Sequence, residues 1–155
     1  MVAGCGGGGG TRSTESASLV SGASFSYRAP SGWAVTVTPR EAVAKQDEVT
    51  LVSVTVLPLV KAYNPALFPR VVTELDRVAG TLAARLHGTV SARRTVQAAG
   101  GKVRQYEIDH GELADRLTFV LRGKREFLLT CRWRSKDGAP GACDQLVASF
   151  GFRSA

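Results

Sequence analysis

The chain lacks any uninterrupted apolar run of the roughly 18 residues that a membrane-spanning helix requires. Its longest candidate, Val49 to Val60, is broken by Thr50, Ser53, Thr55 and Pro58, so the folded part is not expected to cross a bilayer. Reactive side chains are also few: two His and three Cys, with no Gly-x-Ser-x-Gly elbow to present a nucleophilic serine. The run Gly6 to Gly10 has no Gly-Lys-Ser/Thr behind it and no strand before it, which excludes a phosphate loop. These shortages leave little material for an enzyme and direct attention to binding.

What is present suits one ordinary domain: 155 residues, 44% hydrophobic, enough for a single core. The net charge is +7, with three Arg for every Lys. Such a balance attracts anionic lipid headgroups, cell-wall polyanions or nucleic acid alike, and composition does not choose among them. The excess of Arg with abundant Ala, Gly and Val also fits the bias of a GC-rich genome.

Three cysteines are an odd number, and Cys5 is the odd one, set outside any periodic pattern. Val2-Ala3-Gly4-Cys5 resembles the lipobox of bacterial lipoproteins, in which an aliphatic residue and two small ones precede the Cys that receives diacylglycerol. The resemblance implies that residues 1–4 are the remnant of a signal peptide whose basic and apolar regions lie upstream. It also implies that Cys5 is lipidated. Residues 5–23, nearly all Gly, Ser, Thr and Ala, are expected to form a disordered tether, leaving residues 24–155 as a single domain.

Within that domain the pattern first has period two. Trp33, Val35 and Val37 alternate with Ala34, Thr36 and Thr38 after a turn at Pro30-Ser31-Gly32, and Val49 to Leu57 reads as an inner strand. Then Phe68, Val71, Val72, Leu75, Val78, Ala79, Leu82 and Leu86 recur at three and four residues, predicting a helix over Pro69–Leu86 that Gly88 ends. Four strands are expected next, Thr89–Gln97, Lys102–Asp109, Asp115–Arg122 and Arg125–Trp133, joined by tight turns into an antiparallel meander. A short helix closes the pattern, with Cys143, Leu146, Val147 and Phe150 on one stripe.

Cys131 points to the core face of its strand and Cys143 to the core face of the helix that packs back on it, so the two are expected to form a disulfide. Free buried thiols or a metal pair are the alternatives, although neither His87 nor His110 has ligand spacing.

The order of elements resembles the Mog1/PsbP-like α/β/α fold, particularly the small lipoproteins of actinobacteria that carry it. The residues concerned are Phe25-Ser26-Tyr27, Pro30, Gly32-Trp33, the run from Glu107 to Cys131, and Cys143 with Ser149-Phe150. The resemblance implies an α+β sandwich, an antiparallel β-sheet flanked by helices. It also implies a binding or accessory module without a common catalytic centre, and it transfers no functional residue.

Candidate chemistry is correspondingly thin. Asp109, His110 and Glu112 cluster in sequence but read as a hairpin turn, while Asp47-Glu48 and Glu107 with Asp109 lack a third carboxylate for a cation. Arg122, Lys124, Arg125, Arg132, Arg134 and Lys136 are more suggestive: if the strand ends meet, they form a cationic rim for headgroups or a polyanion. The expectation is a membrane-anchored, extracytoplasmic, non-catalytic module for a protein partner or envelope component, with no cofactor, metal or nucleic acid. A carrier of a small lipid between the long helix and the sheet is the alternative, and an envelope hydrolase a weaker one.

Overall fold

The computed structural model describes residues 16–154, so Cys5 and the lipobox lie outside the described residues. Among the described residues nine strands and two α-helices follow in order: β1 (Ala17–Ser21), β2 (Phe25–Pro30), β3 (Ala34–Val37), β4 (Glu41–Lys45), β5 (Leu51–Tyr63), α1 (Phe68–Arg85), β6 (Thr89–Ala98), β7 (Gly101–His110), β8 (Leu113–Arg134), α2 (Gly141–Ser149) and β9 (Gly151–Phe152), with short 3-10 turns at Pro65–Leu67 and Ser135–Asp137. The main sheet has the order β3-β4-β5-β8-β7-β6 and a smaller one β1-β2-β9, with every pairing antiparallel.

The long β8 doubles back at Arg122-Gly123-Lys124. An unbroken strand would set Asp115 and Arg132 about 55 Å apart, yet their side chains meet at 2.7 Å across a sequence separation of 17. Gly123 takes a φ of +57°, the left-handed conformation that such a reversal needs. The N-terminal arm of β8 then pairs with β7 (Arg104 opposite Phe119), and the C-terminal arm with β5 (Val52 opposite Cys131). The last two strands of the expected meander are these two arms.

Alternation sorts the side chains of the main sheet into two cores. On one face Tyr106, Ile108, Leu117 and Phe119 meet Leu75, Ala79 and Ala83 of α1. On the other, Val52, Val54, Phe127, Leu129, Cys131 and Trp133 pack under α2 and the small sheet, with Phe25, Tyr27 and Phe150 completing an aromatic cluster. Cys131 and Cys143 are joined by a disulfide, their Cα atoms 5.4 Å apart, which ties α2 to the sheet.

Several local expectations change. Residues 17–21, expected within the tether, form β1, because Val20 buries itself in the core and the backbone completes an antiparallel ladder with β2. Strand β5 runs on through Pro58 to Tyr63, its register breaking beyond Pro58 where the ring offers no N–H. At the end of α1 the left-handed residue is His87, φ +54°, rather than Gly88. Gly88 is required for closeness instead: a Cβ there would lie 2.3 Å from the Asp109 carbonyl oxygen.

Candidate functional site

Antiparallel strands bring distant residues to one end of the sheet, and here they bring cations. The β8 reversal carries Arg122, Lys124 and Arg125, all exposed. Beside it the C-terminal segment places Phe152 under the Arg122 guanidinium, 4.4 Å from the ring centre, a cation–π contact that fixes the arginine in place. Arg153 is held through its backbone N–H, which donates to the Ser24 carbonyl at 2.8 Å, and its side chain donates to the Gly22 carbonyl at 3.2 Å.

Three hollows of about 560, 630 and 400 Å³ open at this end. The first and second share Arg122 and Phe152, and the first and third share Ser24, Lys124 and Arg125, so they adjoin one another. Arg40 and Lys102 stand at the two extremes. Among the described residues no Asp or Glu lines any of the three. The nearby Glu126 is half-buried beside the reversal, and burial raises its carboxyl above the ordinary range.

The other three residues of the expected rim lie at the opposite end of β8. Arg132 donates twice to Asp115, at 2.7 and 2.9 Å, Arg134 donates to Asp47 at 3.0 Å, and Lys136 borders a separate hollow with Val49 and Glu112. The structure therefore divides the six: Arg122, Lys124 and Arg125 are brought together, and Arg132, Arg134 and Lys136 are not part of that group. A strand of ten residues separates its ends by about 33 Å, and this spacing was hidden in the linear string. Arg40, Lys102 and Arg153, which no sequence pattern marks, join the cationic end because the β3–β4 connection, the start of β7 and the C-terminal segment converge on it.

The acidic candidates are structural. Asp47 accepts from the backbone N–H groups of Val49 and Thr50, each at 2.8 Å, and with Arg134 these bonds hold its carboxyl at about 2. Glu107 is bound by Arg116 at 2.8 Å and Arg94 at 3.0 Å, while Asp109 and Glu112 are exposed. His110 turns inward toward Asp115: its Nε2 lies 3.1 Å from Oδ2 but off the line of a hydrogen bond. Within the sequence cluster His110 therefore faces inward while Asp109 and Glu112 face solvent, so the three do not converge on one site. Among the described residues no group of three or more His, Cys, Asp and Glu side chains could hold a metal ion.

The face beneath α1 is filled by the protein itself. Ala79, Tyr106 and Ile108 are fully buried there, and Asp76 clamps the helix to β7 by accepting from the Tyr106 hydroxyl at 2.5 Å and from Arg104 at 3.0 and 3.3 Å. The Tyr106 hydroxyl is driven far above its ordinary range, first by burial and then by this bond. A lipid carrier would need an opening where these side chains meet.

No family model and no curated protein matches the sequence. A solved structure does match the fold: the solution structure of cyanobacterial PsbP (CyanoP) from Synechocystis sp. PCC 6803 aligns with a TM-score of 0.65, covering 98% of this chain and 99% of that one, at 14% identity. The chain has a PsbP-like fold. In this PsbP-like framework the antiparallel sheets and flanking helices agree with the α+β sandwich expected from the sequence, and the cationic end is formed by loops and reversals at one edge of the scaffold.

Proposed function

We propose that the protein is an extracytoplasmic, lipid-anchored, non-catalytic binding module whose working surface is the cationic end of the sheet. The observation that carries this reading is the segregation of charge. Arg94, Arg104, Arg116, Arg132 and Arg134 each have a carboxylate between 2.7 and 3.0 Å away, whereas Arg122, Lys124 and Arg125, which like several other cations form no ion pair among the described residues, stand together in hollows that no described Asp or Glu lines. Folding uses the first set. The second set is available for an anionic partner, which such a field attracts and orients.

The compartment is supported independently. A buried disulfide persists in an oxidising environment and is rare where thiols are kept reduced, which supports a location outside the cytoplasm. The lipobox-like Val2-Ala3-Gly4-Cys5 supplies the anchor. The PsbP-like scaffold suits an accessory role, though a fold does not by itself transmit function.

The test expresses the protein behind a lipoprotein signal sequence in a bacterium that processes lipoproteins, and fractionates the cells. Cys5→Ser moves the protein from the membrane to the soluble fraction. Arg122→Glu with Lys124→Glu leaves it on the membrane but removes any envelope component recovered with the unmodified protein in mild detergent. An unmodified chain found in the cytoplasm would overturn the location, and a charge-reversed chain that retains its complex would overturn the surface.

A further inference from the structure

The cationic hollows at the end of the sheet form a trough with a direction. From Arg40, between β3 and β4, to Lys102 at the start of β7, it crosses four strand spacings, about 19 Å. Along it stand Arg40, Lys102, Arg122, Lys124, Arg125 and Arg153, and no Asp or Glu among the described residues. A protein–protein interface concentrates apolar area at its centre. Here the centre is Arg122 lying over the Phe152 ring, so the middle of the trough presents charge. A row of cations in an elongated concavity matches a row of anions on a chain.

The place where the chain enters the domain bears on which anions the trough meets. The described chain begins at Ser16, whose carbonyl accepts from the Ser31 N–H at 2.9 Å, next to the point where Trp33 leads into β3. Ala34 pairs with Lys45, Lys45 with Leu51 and Leu51 with Arg132, so Ser16 lies at the level of Arg132. Ser24, by contrast, lines the trough with Lys124 and Arg125. Seven residues of extended chain separate the two levels, about 23 Å. A chain leading from Cys5 enters the domain at Ser16, the end opposite the trough, which leaves the trough free to face away from the bilayer.

Resting on the anchored reading above, we propose that the trough binds a linear polyanion of the cell exterior and not the headgroups of the membrane that carries the protein. The ligand class is a flexible chain of repeated phosphate or other acidic groups. Arg forks bind such groups bidentately, and Lys adds point charges that tolerate variable spacing.

The test titrates the full, unlipidated chain with long-chain inorganic polyphosphate at several salt concentrations. Binding is expected at low salt, with a slope of log affinity against log salt that reflects about 0.7 to 0.9 per cation engaged. Arg122→Gln with Lys124→Gln and Arg125→Gln should lower affinity at least about tenfold and the slope by about two to three, while Arg134→Gln with Lys136→Gln, at the other end, changes affinity less than about twofold. Equal losses in the two variants, or no binding, overturn the proposal.

Two vesicle arms separate the sources of anion. If the free chain prefers phosphatidylglycerol vesicles to polyphosphate through the same three cations, the ligand is a lipid surface and the proposal fails. A lipidated chain seated in phosphatidylcholine vesicles should bind added polyphosphate as tightly as the free chain, and loss of that binding overturns the outward orientation. Because the first titration needs no anchor, an unmodified Cys5 in cells would refute the anchored reading without touching the trough.

Discussion

Breaking the Cys131–Cys143 bond while leaving both sulfurs in place isolates what the cross-link contributes. The two residues are 12 apart, and each is 1% exposed. Constraining a loop of that size in the unfolded chain contributes about 3 kcal/mol by the chain-entropy model. For a domain of this length that corresponds to a fall in Tm of about 6 to 12 °C. The assay is urea unfolding of the oxidised protein against the same protein unfolded and refolded in a reductant. The midpoint should fall and the slope m should rise, because the unfolded chain without its cross-link exposes more surface. Cys131→Ala with Cys143→Ala should lose more than reduction alone, since it also removes buried atoms from the core cluster that holds Trp133 and Leu146. A reduced protein within about 1 kcal/mol of the oxidised one would refute the reasoning, because the bond would then not act as a constraint on the unfolded chain.

Asp115 gives the largest single-site prediction: it is 2% exposed and held bidentately by Arg132, so Asp115→Ala strands a guanidinium and should cost about 3 kcal/mol, the lower end for a broken buried pair because Arg132 is partly solvated; a loss under about 1 kcal/mol in urea unfolding would contradict this. Asp47 predicts a pH dependence. Its folded carboxyl is depressed to about 2 by the backbone N–H groups of Thr50 and Val49 and by Arg134, so its charge stabilises the fold above the unfolded carboxylate range near 4 and ceases to do so as pH falls through about 2. The stability gap between the unmodified protein and Asp47→Asn, which can still accept the cap bonds, should be present at pH 7 and close between about pH 4 and 2; a gap independent of pH would assign the effect to the cap alone.

The helices and most strands were legible because the periodicities that encode them are local. The α1 stripe from Val71 to Leu82 names the residues that pack, and Cys131 and Cys143 fall on facing sides by alternation and by helical spacing. Strand β1 was not legible, since Ser and Ala dominate it and only Val20 reaches the core, so its order comes from the ladder with β2 rather than from composition. The binding surface was half legible. Arg122, Lys124 and Arg125 adjoin in sequence and adjoin in space, but Arg132, Arg134 and Lys136, which would join them only if the strand ends met, lie at the other end of β8. Arg40, Lys102 and Arg153 gave no sequence signal, because their neighbourhood is created by sheet order alone. His110 shows the reverse case: near acids in the string, it faces a different one, Asp115, in the fold.

The measurement that bears most directly on the account is the intact mass of the protein released from its own membranes, taken without reductant after alkylation under denaturing conditions. The account predicts a chain beginning at Cys5, heavier by a diacylglyceryl group, lighter by two hydrogens for the Cys131–Cys143 bond, and with no thiol left to alkylate. A soluble chain that takes up alkylating agent at Cys5, Cys131 and Cys143 alike would contradict both the anchor and the oxidising compartment.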